Sequence, residues 1–267
     1  LSLLKFFKSM LCILEILRKL YSAGVIEFIS ELLSSHNPST PHYKEFVNIV
    51  CPIMYNCCYL NHTKEVELVE LGVLANLKAL LKINLSFRQF VLPVLCEMVY
   101  CEAQVRQALY KAEILEVYLT LITDPYWQLN ALDLIWHWYQ QNDKTKPKFE
   151  QSEVADCLVS GFILPKTSNL ESALDTFLKF VSSLQYLRRK MIQGPVISAI
   201  EEKLDTYVNN PVVLLKLLKI LKVFTKEGFS GVYNTKRFST KLKILISKSK
   251  SVLVKEMTTE IMKRVSA

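Results

Sequence analysis

The apolar positions of the chain follow one phrase that recurs along most of its length. In each copy, a small or helix-starting residue precedes branched apolar residues, and further apolar residues follow at helical spacing. The leading branched residues stand at positions 25, 73, 114, 154 and 196, with a weaker sixth copy near Phe238. Periods of about 40 to 47 residues are typical of armadillo and HEAT repeats, whose helices bury their apolar faces only by stacking. We therefore predict an all-α, armadillo/HEAT-like helical-repeat solenoid of about five to six repeats.

A second helical block follows each phrase, so we expect each repeat to contain at least a helical hairpin. These blocks cover residues 43–60, 87–100, 126–140, 170–184 and 212–224. Helix starts are predicted at three residues that precede a proline, namely Thr40, Asp124 and Asn210. The side-chain oxygen of each can cap a helix, and proline is tolerated at the first helical position. Pro52 and Pro93 lie inside apolar runs. They predict either a kink or a break between two short helices, of which we favour the break.

The composition supports a helical core and excludes several other classes of protein. Hydrophobic residues make up 51% of the chain and charged residues 22%, so the chain is not a disordered tail. Only 6 glycines and 9 prolines leave too few turn-formers for a many-stranded β-fold. The 7 cysteines form no CxxC pattern, and we expect buried thiols without disulfides. No apolar run is long enough for a membrane span and no signal pattern opens the chain, so we expect a cytoplasmic region of a longer protein.

The positive charge is concentrated at one end of the chain. Of the net charge of +8, residues 232–267 hold +7, because only Glu256 and Glu260 oppose nine basic residues there. These residues keep helical apolar spacing, so we predict a solenoid over residues 1–231 and a basic helical C-terminal cap of the same solenoid over residues 232–267. One alternative is that the tail anchors the chain to an anionic membrane or to nucleic acid, although the nearly neutral body favours neither partner. Another is a homodimerisation helix within residues 1–21.

The chain contains no motif that a catalytic, cofactor or metal site requires. The phosphate-binding patterns GxGxxG and GxxxxGK[ST] do not occur, and neither does a kinase HRD or DFG signature. The 4 histidines form no HExxH motif and no Cys/His grouping at zinc-finger spacing. A Cys–His pair assembled by the fold stays open, because sequence spacing does not test it. We predict a non-enzymatic chain without catalytic residues, cofactor, metal or small-molecule substrate.

All three tryptophans lie within twelve residues, which is the most informative local feature of the chain. Trp136 falls on the helical face of Leu129 and Leu132, so we predict that it is a core residue. Trp138 lies on a different face, and Trp127 stands at the helix start. Two interpretations of Trp127 and Trp138 stay open: they are packing residues, or, second, they form a surface that binds a ligand. On the second, Trp127 and Trp138 are aromatic anchors for a protein partner.

Several basic residues in the body could complement such a partner. Arginine suits bidentate capture of carboxylates and phosphates, although surface solubility explains most of these residues equally well. We select Arg88 and Arg106 as candidate contacts for acidic or phosphorylated side chains. Charge reversal at either arginine is then expected to weaken the complex.

Two segments carry a resemblance to a known family. Residues 121–133, which contain Asp-Pro-Tyr-Trp-Gln, and residues 86–98 resemble the C-terminal armadillo-like region of the fungal septation-initiation and mitotic-exit network protein kinases. The resemblance covers about residues 20–225. It implies a kinase domain elsewhere in the full-length protein. It also implies that this region recruits the kinase to the spindle pole body through a scaffold protein and a small GTPase.

Overall fold

The computed structural model describes residues 2, 4–6, 14–83, 87–141, 146–164, 170–193, 195–225 and 235–266. Over these residues the protein is all-α, without a β-strand. The helices are α1 (Leu14–Ser22), α2 (Val25–Ser35), α3 (Tyr43–Cys58), α4 (His62–Glu70), α5 (Leu74–Ile83), α6 (Arg88–Met98), α7 (Ala103–Lys111), α8 (Ile114–Leu121), α9 (Gln128–Gln141), α10 (Lys146–Phe149), α11 (Ser152–Ile163), α12 (Leu170–Ser183), α13 (Gln185–Gln193), α14 (Val196–Thr206), α15 (Pro211–Phe224), α16 (Thr235–Lys248) and α17 (Val252–Ser266).

The helices confirm the predicted all-α repeat organisation. Each predicted phrase coincides with a helix, namely α2, α5, α8, α11, α14 and α16. Each second block is also a helix, namely α3, α6, α9, α12 and α15. A third, shorter helix follows the second block in the first four repeats, as α4, α7, α10 and α13 do. These repeats therefore contain three helices, which agrees with the prediction of at least a helical hairpin in each repeat. Their assignment to the armadillo or HEAT type stays a prediction.

The chain divides into two compact units, unit 1 (Leu1–Val117) and unit 2 (Tyr118–Ala267). In unit 1, α3 packs against α6, and α4 packs against both α6 and α7. Helix α2 contacts α3 and α4. Each repeat thus buries its apolar face against its neighbour in sequence, as stacked repeats do.

In unit 2, the long helices pack in chain order: α9 against α12, α12 against α15, and α15 against α17. Polar contacts join successive helices at the edge of this stack. The Lys216 ammonium of α15 lies 2.8 Å from an Asp175 carboxylate oxygen of α12, and the Thr176 hydroxyl donates to Asp133 of α9 at 2.6 Å. The predicted boundary between residues 231 and 232 falls outside the described residues, so that division stays a prediction.

The favoured prediction for the two internal prolines, a break between short helices, is wrong. Helix α3 runs without interruption through Pro52, and α6 runs through Pro93. Proline removes one backbone hydrogen bond from a helix interior. Burial compensates for this loss, because residues on both sides of Pro52, such as Cys51 and Met54, are completely buried.

The predicted helix starts have different outcomes. The start at Asn210 is confirmed, because its Oδ1 atom accepts hydrogen bonds from the backbone N–H groups of Val212 and Val213 at 3.1 and 3.2 Å. The start at Thr40 is wrong. Helix α3 begins at Tyr43, and the Thr40 hydroxyl accepts the backbone N–H of Asn37 within the preceding loop. The local bond with Asn37 therefore replaces the predicted cap.

The cysteines of the described ranges are core residues rather than cross-links. Cys51, Cys57, Cys58, Cys96 and Cys101 are buried free thiols, and Cys157 is a half-buried one. Burial raises the pKa of the Cys51 thiol to about 12, which keeps it protonated. Among the helices that the structure describes, none combines the length and apolarity of a membrane span.

A close approach between α11 and the chain after α8 yields the first testable prediction. A Cβ atom on Gly161 would lie 2.3 Å from Ile122 Cγ2 and 3.1 Å from the Ile122 carbonyl oxygen. The Gln128 amide bridges the two segments, because it donates hydrogen bonds to the carbonyl oxygens of Ile122 and Gly161, both at 2.9 Å. The cost of overpacking a methyl group here is larger than the stability that alanine gains over glycine in a helix. Gly161→Ala should therefore lower the free energy of unfolding by ~1–2 kcal/mol. Urea denaturation measures this change.

The matched control is Ser160→Ala, because Ser160 is exposed on the same helix. Its effect should stay within about 0.5 kcal/mol. An equal midpoint for Gly161→Ala and the parent chain would contradict the close packing of α11.

Candidate functional site

The turn before α9 presents two aromatic side chains, and we call residues 124–127 the aromatic turn. Tyr126 is 92% exposed, and Trp127 is half-buried. The Asp124 carboxylate oxygen Oδ1 accepts hydrogen bonds from the backbone N–H groups of Tyr126 and Trp127, at 2.9 and 3.2 Å. The Asp124 carbonyl accepts the N–H of Gln128 at 2.9 Å. These bonds close the turn that leads into α9 and fix the backbone that carries both rings.

The aromatic turn is also attached to the core of unit 2. Gln128 follows it directly, is only 3% exposed, and donates its two 2.9 Å bonds to buried carbonyl groups. The Trp127 carbonyl accepts the N–H of Ala131 at 2.8 Å. The turn is therefore ordered before any partner arrives, which lowers the entropy cost of binding.

The structure buries Trp138 more completely than Trp136, which was the predicted core residue. Trp138 has no exposed surface and meets the Tyr118 ring edge-on, with 5.8 Å between the ring centroids. Trp136 is half-buried and lies against the rings of Phe180 and Tyr139, at 5.2 and 5.5 Å. Helix α9 packs on more than one side, so a single helical face does not define its buried residues. Trp138 is a core residue and leaves no surface for the predicted anchor role.

Arg106 has a structural role in place of the predicted one at the surface. It is 8% exposed, and its Nη1 atom donates to the carbonyl oxygens of Val99, at 3.3 Å, and of Cys101. These carbonyls lie in the turn between α6 and α7. The guanidinium group thus satisfies backbone acceptors that a helix end leaves free, and it does not reach a partner's phosphate.

Arg188 shows that this arrangement belongs to the repeat. It is the fourth residue of α13, as Arg106 is the fourth residue of α7. Its Nη1 atom donates to the carbonyl oxygens of Val181 and Ser182, at 2.8 and 3.0 Å. Two repeats therefore close the turn before their third helix with an arginine. Arg88, the first residue of α6, is half-buried, and it keeps its predicted role as a proposal.

A separate cluster in unit 1 has the donor types of a metal site. His62, Glu65 and Cys101 each place one ligand atom within 4.8 Å of the other two. The Cys101 thiol donates to Glu65 Oε2 at 3.2 Å, and His62 Nε2 lies 4.0 Å from the same oxygen. Burial raises the pKa of Glu65 to about 7 and that of Cys101 to about 12. Sequence spacing did not indicate this cluster, because Cys101 is 36 residues from Glu65.

The two alternative interaction segments are described only in part. The Lys241 ammonium of the basic tail lies 2.7 Å from Asp205, and the Arg264 guanidinium lies 2.8 Å from Glu260. Part of the tail's charge is thus paired within unit 2, and its role as a cap stays a prediction. Of the predicted dimerisation segment, residues 1, 3 and 7–13 lie outside the described residues.

No protein-family model matches the chain. It is 26% identical over 226 residues to cytokinesis protein sepH of Emericella nidulans, covering 82% of this chain and 17% of that protein. It is 25% identical over 225 residues to MAP3K epsilon protein kinase 2 of Arabidopsis thaliana, covering 80% and 16%. It is 22% identical over 263 residues to cell division control protein 7 of Schizosaccharomyces pombe, covering 97% and 25%.

The crystal structure of an engineered protein resembles this chain in fold. The TM-score is 0.55 at 16% sequence identity, covering 90% of this chain and 98% of the engineered one. At this identity the likeness concerns the fold alone. The chain spans 17% of sepH and 25% of cell division control protein 7. As the resemblance predicted, the relatives of this chain at 22–26% identity include a fungal cytokinesis protein and a fungal cell division control protein; a plant protein kinase is also among them.

Proposed function

We propose that this chain is a non-catalytic, protein-binding region of a larger cell-division kinase. It recruits that kinase to the spindle pole body through a scaffold protein and a small GTPase. One observation carries the proposal: 82% of the chain aligns with a cytokinesis protein of which it spans only 17%. A helical-repeat region outside a catalytic domain typically supplies a rigid binding surface. The full-length protein would be a serine/threonine protein kinase.

The aromatic turn is the proposed contact surface. Tyrosine and tryptophan are enriched among residues that dominate binding energy, because each buries a large rigid ring and offers one polar atom. The Asp124 cap holds Tyr126 and Trp127 in place, so a linear segment of the scaffold bears most of the entropy cost of docking. Arg88 is a separate proposed contact for an acidic or phosphorylated side chain.

Removing either ring of the aromatic turn should weaken scaffold binding. We expect Tyr126→Ala and Trp127→Ala each to raise the dissociation constant by roughly 10- to 30-fold, the usual cost of an aromatic anchor. Calorimetry with phosphorylated and unphosphorylated peptides from spindle-pole scaffold proteins measures the change. Tyr186→Ala is the matched control, because Tyr186 is an exposed tyrosine on α13 of the same unit. Parent-like affinity in both turn variants would refute the proposed surface.

The electrostatic alternative is tested in the same titrations. Helix α17 packs against α15, so deleting the tail would uncover core residues and confuse folding with binding. Replacing the exposed Lys243, Lys248 and Lys255 with glutamine removes charge and keeps both helices. Binding that survives these substitutions and moderate salt supports the aromatic turn. Loss of binding on substitution of the three lysines, or on addition of moderate salt, would favour the basic tail as an electrostatic anchor.

A further inference from the structure

We propose that His62, Glu65 and Cys101 form a binding site for one Zn²⁺ ion in unit 1. The site is independent of the proposed scaffold contact. His62 and Glu65 are three residues apart on α4, so they share one face of that helix. Cys101 lies in the turn between α6 and α7, both of which pack against α4. The repeat stack therefore brings one nitrogen, one oxygen and one sulfur donor together.

The three donor atoms lie within 4.8 Å of one another, and two of their separations can be compared with those of a zinc site. A tetrahedral ion with Zn–N and Zn–O bonds of about 2.0–2.1 Å and a Zn–S bond of about 2.3 Å places its ligand atoms about 3.3–3.6 Å apart. Here Cys101 Sγ lies 3.2 Å and His62 Nε2 lies 4.0 Å from Glu65 Oε2. The larger deviation concerns the imidazole, whose side chain is 53% exposed. This exposure leaves the imidazole free to adjust toward an ion that the other two donors hold.

A buried oxygen supplies a second, independent reason to expect a cation. The Glu65 side chain has no exposed surface, and its Oε1 atom has no hydrogen-bond partner among the residues that the structure describes. A buried carboxylate with an unpaired oxygen is costly. The neighbouring Lys64 does not relieve this cost, because its ammonium pairs with Glu67 at 2.6 Å. A metal ion at the cluster would compensate the buried charge.

An ion can reach the cluster from solvent. A surface cavity of about 580 Å³ is lined by His62 and Cys101 together with Tyr100 and Glu102. Water from this cavity can occupy the fourth coordination position, which three protein ligands leave open.

The donor set selects the metal. Magnesium and calcium prefer oxygen ligands in larger numbers, whereas a thiolate and an imidazole suit Zn²⁺. The thiol proton that Cys101 donates to Glu65 must leave when sulfur binds the ion, so zinc binding releases a proton to the buffer. The bound ion would join α4 to the turn before α7 and strengthen the stacking of two repeats.

In the test, zinc chloride is titrated into the complete, metal-free chain, and calorimetry measures the binding. A phosphine reductant in the buffer keeps the thiols reduced. We expect one zinc ion per chain, proton release and a raised unfolding temperature. His62→Ala and Cys101→Ser should each weaken binding by roughly 100-fold, since even outer-shell partners are worth about 10- to 100-fold. Because His62 is exposed, His62→Ala keeps the fold, as helical circular dichroism can verify.

Cys157→Ser is the control, because it removes a half-buried cysteine from unit 2. Parent-like zinc affinity in this variant supports the site. Cobalt provides a second probe, because a cobalt–thiolate charge-transfer band should appear in the parent and vanish in Cys101→Ser. No saturable binding by the parent chain at micromolar zinc would overturn the proposal. Unchanged affinity in both His62→Ala and Cys101→Ser would also overturn it.

Discussion

Replacing Trp138 with alanine should lower the free energy of unfolding by ~3–5 kcal/mol, the usual cost of truncating a fully buried aromatic residue. Trp138 is the largest side chain without exposed surface, and it packs edge-on against Tyr118. Truncation would leave a cavity between α8 and α9 that the surrounding helices fill only in part. Guanidinium denaturation, followed by circular dichroism of the helices, measures the loss.

The control for this prediction is Tyr126→Ala in the aromatic turn. Tyr126 is 92% exposed, so its truncation should change stability by no more than about 0.5 kcal/mol. The same variant is expected to weaken scaffold binding, which separates a binding residue in the aromatic turn from a folding residue in α9. Equal, small losses for Trp138→Ala and Tyr126→Ala would contradict the burial of Trp138.

The repeat pattern could be predicted from sequence because helix-forming apolar positions recur locally. The phrases at residues 25, 73, 114, 154 and 196 coincide with helices, and so do the longer blocks that follow them. The short third helices were not predicted individually, because their patterns of apolar residues are weak. Helix α13, with the sequence QYLRRKMIQ, is mostly polar. Its buried Leu187 and Met191 are four residues apart and share one helical face, but so short an apolar stripe gives a weak signal.

The site residues could be predicted less well because their environments depend on distant parts of the chain. Helical spacing assigned Trp136 to the core and Trp138 elsewhere, yet α9 has neighbours on more than one side. The interaction of Arg106 with backbone carbonyls was equally hidden, since only the folded turn brings Val99 and Cys101 to it. The zinc cluster needs the stacking of α4 against α6 and α7. The turn at Asp124 was the exception, because its signal is local: the Asp124 side chain accepts backbone N–H groups as predicted, although α9 begins at Gln128 rather than at residue 126.

Replacing Arg106 with alanine should lower the free energy of unfolding by ~2–4 kcal/mol, because it leaves two backbone carbonyls without a donor and each such group costs about 1–3 kcal/mol. Both hydrogen bonds of Nη1, to Val99 and to Cys101, are buried, so water does not replace the lost donor. Urea denaturation of the purified chain measures this loss. A phosphate-binding arginine at the surface would instead lose affinity for phosphorylated peptides and keep its stability.

The equivalent arginine of a later repeat gives a graded comparison. Arg188 makes the same type of contact, but its bond to the Ser182 carbonyl is exposed, so Arg188→Ala should cost only ~1 kcal/mol. Arg189→Ala, at an exposed neighbouring position, should be nearly neutral. The order Arg106, Arg188, Arg189 follows from the accessibility of each group to water. Finding Arg106→Ala as neutral as Arg189→Ala would contradict the structural role of Arg106 and return it to the candidate binding residues.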